Sequence, residues 1–95
     1  MIKNITILGA GESGFGAAML AHQKGHNVFV SDISEIRKDI KSIFVKNSIK
    51  FEEKDHSFNK IKFSDLIIKS PGIPNTSIII SKIKSFDIPI ISEIE

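Results

Sequence analysis

The chain reads as an α/β protein, a Rossmann-like, doubly wound parallel five-stranded sheet in the order 3-2-1-4-5. Three observations predict this fold. Short apolar runs alternate with stretches of helical periodicity along all 95 residues. The first run, Ile5 to Leu8, empties directly into Gly9, Gly11 and Gly14, the turn that cradles a phosphate in a nucleotide-binding βαβ unit. The second run, Val28 to Val30, ends in Ser31 and Asp32, which sets a carboxylate at the end of a strand about 20 residues past the glycines.

The glycines have separable jobs. Gly9 permits the tight turn, Gly11 lets backbone N–H groups approach a diphosphate, and Gly14 lets the next helix lie close to the strand. That helix is expected from Ser13 to about Lys24, with Gly16, Ala17, Leu20 and Ala21 facing the sheet and Gly25 as its stop. Its N-terminal dipole points at the anion. Asp32 follows the second strand, where it either accepts a hydrogen bond from a ribose hydroxyl or base N–H, or caps the next helix, as Ser34 could. Ile36, Ile40, Ile43 and Phe44 then recur at i, i+4, i+7 and i+8, which predicts a second helix over Ser34 to Lys46. A short strand over Ile49 to Glu52 and a polar loop from Glu53 to Lys60 come next.

Asp65 to Lys69 is a nearly continuous apolar run suited to a parallel strand buried on both faces. Ser70-Pro71-Gly72-Ile73-Pro74 stops any helix, and Asn75 or Thr76 can cap a third one striped by Ile79, Ile80, Ile83 and Phe86. Pro89 to Ser92 is the last strand. With right-handed crossovers, strands 1 and 4 diverge at the switch point, so the loop Gly9 to Gly14 faces the loop Ser70 to Pro74 across one ligand crevice.

Composition narrows the function classes. A chain of this length forms one small domain with a single core. The net charge of +2 comes from dispersed basic residues, which gives no nucleic-acid stripe. No cysteine is present, hence no disulfide, thiol nucleophile or cysteine metal site. No signal sequence and no membrane-spanning apolar run is visible. His22, His26 and His56 are scattered without ligand spacing, and Glu52, Glu53 and Asp55 read as solvated loop acids, so no metal site is expected.

The segments G-A-G-E-S-G-F-G, V-S-D, D-L-I-I-K-S-P-G-I-P and I-P-I-I-S-E-I-E occur here in order. This combination resembles the N-terminal domain of the MurD family, the UDP-N-acetylmuramoyl-L-alanine:D-glutamate ligases of peptidoglycan synthesis, and the resemblance spans essentially the whole chain. It implies a domain, residues 1–95, that holds the UDP part of UDP-N-acetylmuramoyl-L-alanine in the cytoplasm. Carried over by motif, Gly9, Gly11, Glu12, Ser13 and Gly14 lie at the diphosphate, Asp32 and Ile33 at the uridine end, and Ser70, Pro71, Gly72 and Ile73 along the opposite wall. Glu12 is expected to offer its backbone N–H and turn its carboxylate to solvent, since a carboxylate aimed at a diphosphate repels it. Ile33 is apolar where some members carry a hydroxyl, so its backbone N–H is the expected contact.

The family's reaction is ATP-driven: the substrate's terminal carboxylate becomes an acyl phosphate, which the D-glutamate amine displaces. The 95 residues contain no G-x-x-x-x-G-K-[ST] phosphate loop and no candidate magnesium set, so no catalytic residue is expected among them. ATP, Mg2+ and D-glutamate are expected in central and C-terminal domains of the parent enzyme, and Glu93 and Glu95 at the junction with them. The glycines and Asp32 also fit an NAD-binding module of a dehydrogenase or redox sensor, the alternative that the S-P-G-I-P loop opposes.

Overall fold

In the computed structural model, which describes residues 1–92, nine elements follow in sequence. They are β1 (Asn4–Leu8), α1 (Glu12–Gln23), β2 (Asn27–Ser31), α2 (Lys38–Lys46), β3 (Lys50–Glu52), α3 (Phe58–Ile61), β4 (Leu66–Lys69), α4 (Ile78–Lys84) and β5 (Ile90–Ser92). All strand pairs are parallel and the sheet order is β3-β2-β1-β4-β5, as the sequence predicts. Glu93 and Glu95 lie outside the described residues.

Alternation along the strands sorts the core into two layers. Ile5, Ile7 and Val30 face α1 and α2, where Phe44 packs against Phe15 and Phe51 at ring separations of 5.8 Å. Leu8 and Ile67 face α3 and α4, with Ile61, Ile80 and Ile83. Helices on both faces favour apolar residues on both sides of the central strands, with Thr6 and Lys69 the buried polar residues of β1 and β4. That is why β1 and β4 read as near-continuous runs.

Four local expectations need correction. The face of α1 against the sheet is Gly14, Ala17, Ala18 and Ala21, while Gly16 is exposed and Leu20 is 54% exposed. The helix begins at Glu12, and the close approach of Gly14 to Gly9 O marks the face that meets the sheet. α2 starts at Lys38 rather than Ser34, because the Ser34 carbonyl, which a helix from that point would offer to Lys38 N–H, accepts from Lys54 N–H instead. Ile36 is buried without being helical, and Ile43 is 37% exposed. The predicted loop over Glu53 to Lys60 contains the start of α3, a single turn that seats Phe58 and Ile61 in the second layer. Four residues are too few to carry a helical period. α4 is capped by Ser77, whose hydroxyl accepts from Ile80 N–H, not by Asn75 or Thr76.

Candidate functional site

The carboxyl ends of β1, β2 and β4 bring three predicted segments to one edge of the sheet. The first is the turn from β1 into α1. Gly9 has φ +95°, a conformation that costs a residue with a Cβ, and its N–H donates to Ser31 O at 2.8 Å. A Cβ on Gly9 would lie 2.9 Å from Ser70 Cβ, so the loop after β4 sits directly against this glycine. A Cβ on Gly14 would stand 1.8 Å from Gly9 O, which is why α1 can enter so close to the strand it follows. At Gly11 the space a Cβ would occupy is open to 4 Å. Glu12 is exposed. Ser13 stands beside it in the first turn of α1, whose leading backbone N–H groups point out of the helix end.

The second segment follows β2. Asp32 Oδ2 accepts from Ala10 N–H at 2.8 Å and Oδ1 accepts from Ser34 N–H at 2.8 Å. The carboxylate therefore ties the glycine turn to the segment after β2. It caps no helix, because α2 begins six residues later. Each carboxylate oxygen has two acceptor positions, so these bonds leave Asp32 able to accept from a ligand as well. Ile33 is exposed beside it.

The third segment is the loop after β4. Ser70 N–H donates to Leu8 O, Ile73 N–H donates to Ser70 O, and Ser70 Oγ accepts from Gly72 N–H. Pro71 and Gly72 are exposed along its rim, and Ile73 is half-buried against the second layer. The structure thus joins Gly9, Ser70 and Ile73 in one wall and links Asp32 to it through Ala10.

Two features escaped the sequence reading. Glu52 and Glu53 are not solvated loop acids. Glu52 accepts from the Ser31 hydroxyl, Ser57 N–H and the Ser57 hydroxyl, and Glu53 accepts from Ile36 N–H and Lys41 Nζ. His56 Nδ1 lies 2.7 Å from the same Ser31 hydroxyl. Burial raises the Glu52 carboxyl, but the bonds from Ser57 and Ser31 outweigh it and hold the group below its ordinary value. Burial lowers His56, against the opposing pull of Glu52, Asp32 and Asp55. Together with Asp32 N–H to Glu52 O and Asp55 N–H to Asp32 O, this network braces Asp32 from beneath. The second missed feature is Lys69, which is buried at the end of β4. Its parity with Ile67 was the available signal.

A groove of about 580 Å³ opens at the other end of the sheet, lined by Phe29, Phe51 and Phe63 among others, and none of the predicted site residues lines it.

Comparison with known proteins bears on this edge. The profile of the MurD N-terminal domain matches residues 4–79. The chain belongs to the MurD N-terminal domain family. It is 50% identical over 94 residues to the UDP-N-acetylmuramoylalanine--D-glutamate ligase of Bacteroides thetaiotaomicron, covering 99% of this chain and 21% of that relative. It is 43% identical over 95 residues to the ligase of the same name from Christiangramia forsetii, again covering 21% of the relative. The chain thus spans about a fifth of the length of these relatives. Among solved structures, a pseudomurein peptide ligase type C from Methanothermus fervidus superposes with TM-score 0.85 at 29% identity, over 95% of this chain and 19% of that one. The fold is also that of UDP-N-acetylmuramate-alanine ligase MurC from Thermotoga maritima, with TM-score 0.79 at 23% identity over 96% of this chain and 21% of that one. Three of the four MurD-type motifs fall on the three segments at the carboxyl edge, and the fourth spans β5 and residues 93–95, which lie outside the described ones. No helix among the described residues is long and apolar enough to cross a membrane.

Proposed function

We propose that this MurD-type domain holds the UDP part of UDP-N-acetylmuramoyl-L-alanine for an ATP-dependent ligase that adds D-glutamate. The observation that carries the reading is the abutment of two loops, with Gly9 pressed on Ser70 while the backbone at Gly11 stays open. An anion that must meet backbone N–H groups needs such an opening at a helix start. In this reading Gly11, Glu12 and Ser13 donate backbone N–H groups to the diphosphate, and Gly9 and Gly14 shape the turn. Asp32 and the Ile33 N–H meet the uridine end, and Ser70, Pro71, Gly72 and Ile73 form the facing wall.

The same residues do not suit ATP and Mg2+. The chain has no phosphate-loop lysine motif, and no group of three His, Asp or Glu among the described residues is arranged for a metal ion. In this reading ATP, Mg2+ and D-glutamate are handled by other parts of a longer ligase, and the 95 residues bind and orient the substrate. Thermal unfolding with UDP, UDP-N-acetylmuramoyl-L-alanine, NAD or ATP at matched concentration tests this. A ligand at about 100 times its dissociation constant adds about 2.7 kcal/mol. Selective protection by the two uridine ligands is expected. Protection by NAD alone would overturn the assignment in favour of a dehydrogenase-type module.

A further inference from the structure

The carboxyl edge of the sheet carries one charge that the site above does not use. Lys69 is the last residue of β4, and only 5% of it is exposed. Its register partners are Leu8 in β1 and Ser92 in β5, so it lies level with the residue that precedes Gly9. A buried ammonium is costly unless an anion or full hydrogen bonding offsets the lost water. Lys69 Nζ has three donors, and among the described residues one is satisfied, by Ile73 O at 2.8 Å. The ion pairs among the described residues are Arg37 with Asp39 and Lys41 with Glu53, and neither involves it. Its one acceptor among the described residues belongs to the loop that walls the crevice, and that loop folds back through Ser70 and Gly72. An apolar side chain of similar length would fill the same space without the desolvation cost, so packing alone does not account for a lysine here.

We propose that Lys69 is a charge-selecting positioning residue of the crevice, holding the Ser70 to Pro74 loop through the Ile73 carbonyl and favouring ligands that bring negative charge to where the two loops meet. Burial makes the second part effective, because a buried charge is screened far less by salt than a surface one. The proposal rests on the assignment of the crevice to a nucleoside diphosphate.

Two variants separate its parts. Lys69→Met removes the charge at similar length, and Lys69→Gln removes the charge but keeps an N–H donor. Calorimetric affinities of the 95-residue chain for UDP, uridine and inorganic diphosphate are measured for each. Both variants are expected to lose about tenfold for UDP and for inorganic diphosphate, with uridine affinity changed by less than about twofold. Equal losses for UDP and uridine in Lys69→Met, restored in Lys69→Gln, would reduce Lys69 to a loop tie and overturn the charge role. Wild-type binding of UDP that neither variant alters overturns the proposal and leaves the uridine assignment standing. Wild-type binding of inorganic diphosphate with no gain from the uridine, lost in both variants, does the reverse. Binding of neither by the wild type overturns both. Should the variants not fold, the side-chain 13C resonance of Lys69 in the wild type decides: it is expected to move with inorganic diphosphate and not with uridine, and a resonance that moves with neither overturns the role.

Discussion

Gly14 and Gly16 stand in the same helix two residues apart, and replacing each by alanine should change stability in opposite directions. Alanine in a helix interior is favoured over glycine by about 1 kcal/mol. At Gly16 nothing lies within 4 Å of the new Cβ, so that gain is kept. At Gly14 the Cβ would fall 1.8 Å from Gly9 O and 2.8 Å from Gly9 C, so the helix start or the turn must recede by roughly an ångström. Overpacking costs about 1–3 kcal/mol, and the obstacle here is backbone, which cannot rotate away, so the upper end applies. The displaced turn also strains the Gly9 N–H bond to Ser31 O, adding about 1 kcal/mol. The expected outcome is a gain of about 1 kcal/mol for Gly16→Ala and a loss of about 2–3 kcal/mol for Gly14→Ala. In a domain of this size each kcal/mol moves the melting temperature by about 4–8 °C, so the two variants should melt more than about 12 °C apart. Scanning calorimetry with and without UDP measures this, and Gly14→Ala should also lose UDP protection because its cradle has moved. Equal melting temperatures for the two variants would refute the close approach of α1 to the β1 turn and the site geometry built on it.

Asp32→Asn leaves one acceptor for two backbone N–H groups and sets an amide donor against the other, so a loss of about 1–3 kcal/mol is expected in denaturant unfolding. An unchanged midpoint would show that the carboxylate does not tie the two segments. Acid should destabilise the domain in two stages. His56 has its folded pKa lowered by burial, so the unfolded chain takes the proton first, and stability present above the usual 6.5 is lost as pH falls toward the folded value. Glu52 is also lowered, since bonds from Ser57 and Ser31 outweigh its burial, and the stability it contributes above 4.5 is lost as pH falls through its folded value. Denaturant midpoints from neutral pH downward should show a shallower first stage in His56→Gln, and an identical slope would discount the buried ring. Phe44→Ala, which empties the space between Phe15 and Phe51, should cost about 3–5 kcal/mol, whereas Ile43→Ala on the half-exposed side should cost far less. Similar losses would mean that the stripe of α2 is placed wrongly.

What was legible in the sequence divides along a physical line. Sheet order follows from chirality and from the alternation of strand and helix, neither of which depends on side-chain detail, so β1 to β5 fell where the apolar runs placed them. The glycine turn was legible because backbone conformation and close approach restrict residue type most severely there, as the φ of Gly9 and the crowding at Gly14 show. The segments that were misread are those whose shape is set by partners distant in sequence. Ile36, Ile40, Ile43 and Phe44 carry a helical period, yet the Ser34 carbonyl that an earlier helix start would need accepts from Lys54 N–H. Bonds from Ile36 N–H and Lys41 Nζ make Glu53 a structural acceptor, and the network of Glu52, His56 and Ser57 on Ser31 makes the stretch before α3 a brace for Asp32. Lys69 has the same origin: a charged residue at a strand end normally signals the passage to solvent, and only the loop that folds back through Ile73 O encloses it. Polar side chains that bond across the carboxyl edge are therefore the part of this site that one-dimensional pattern cannot supply. They are also the part that fixes the distance between the two loops, and so the part in which members of one fold can differ in what they hold.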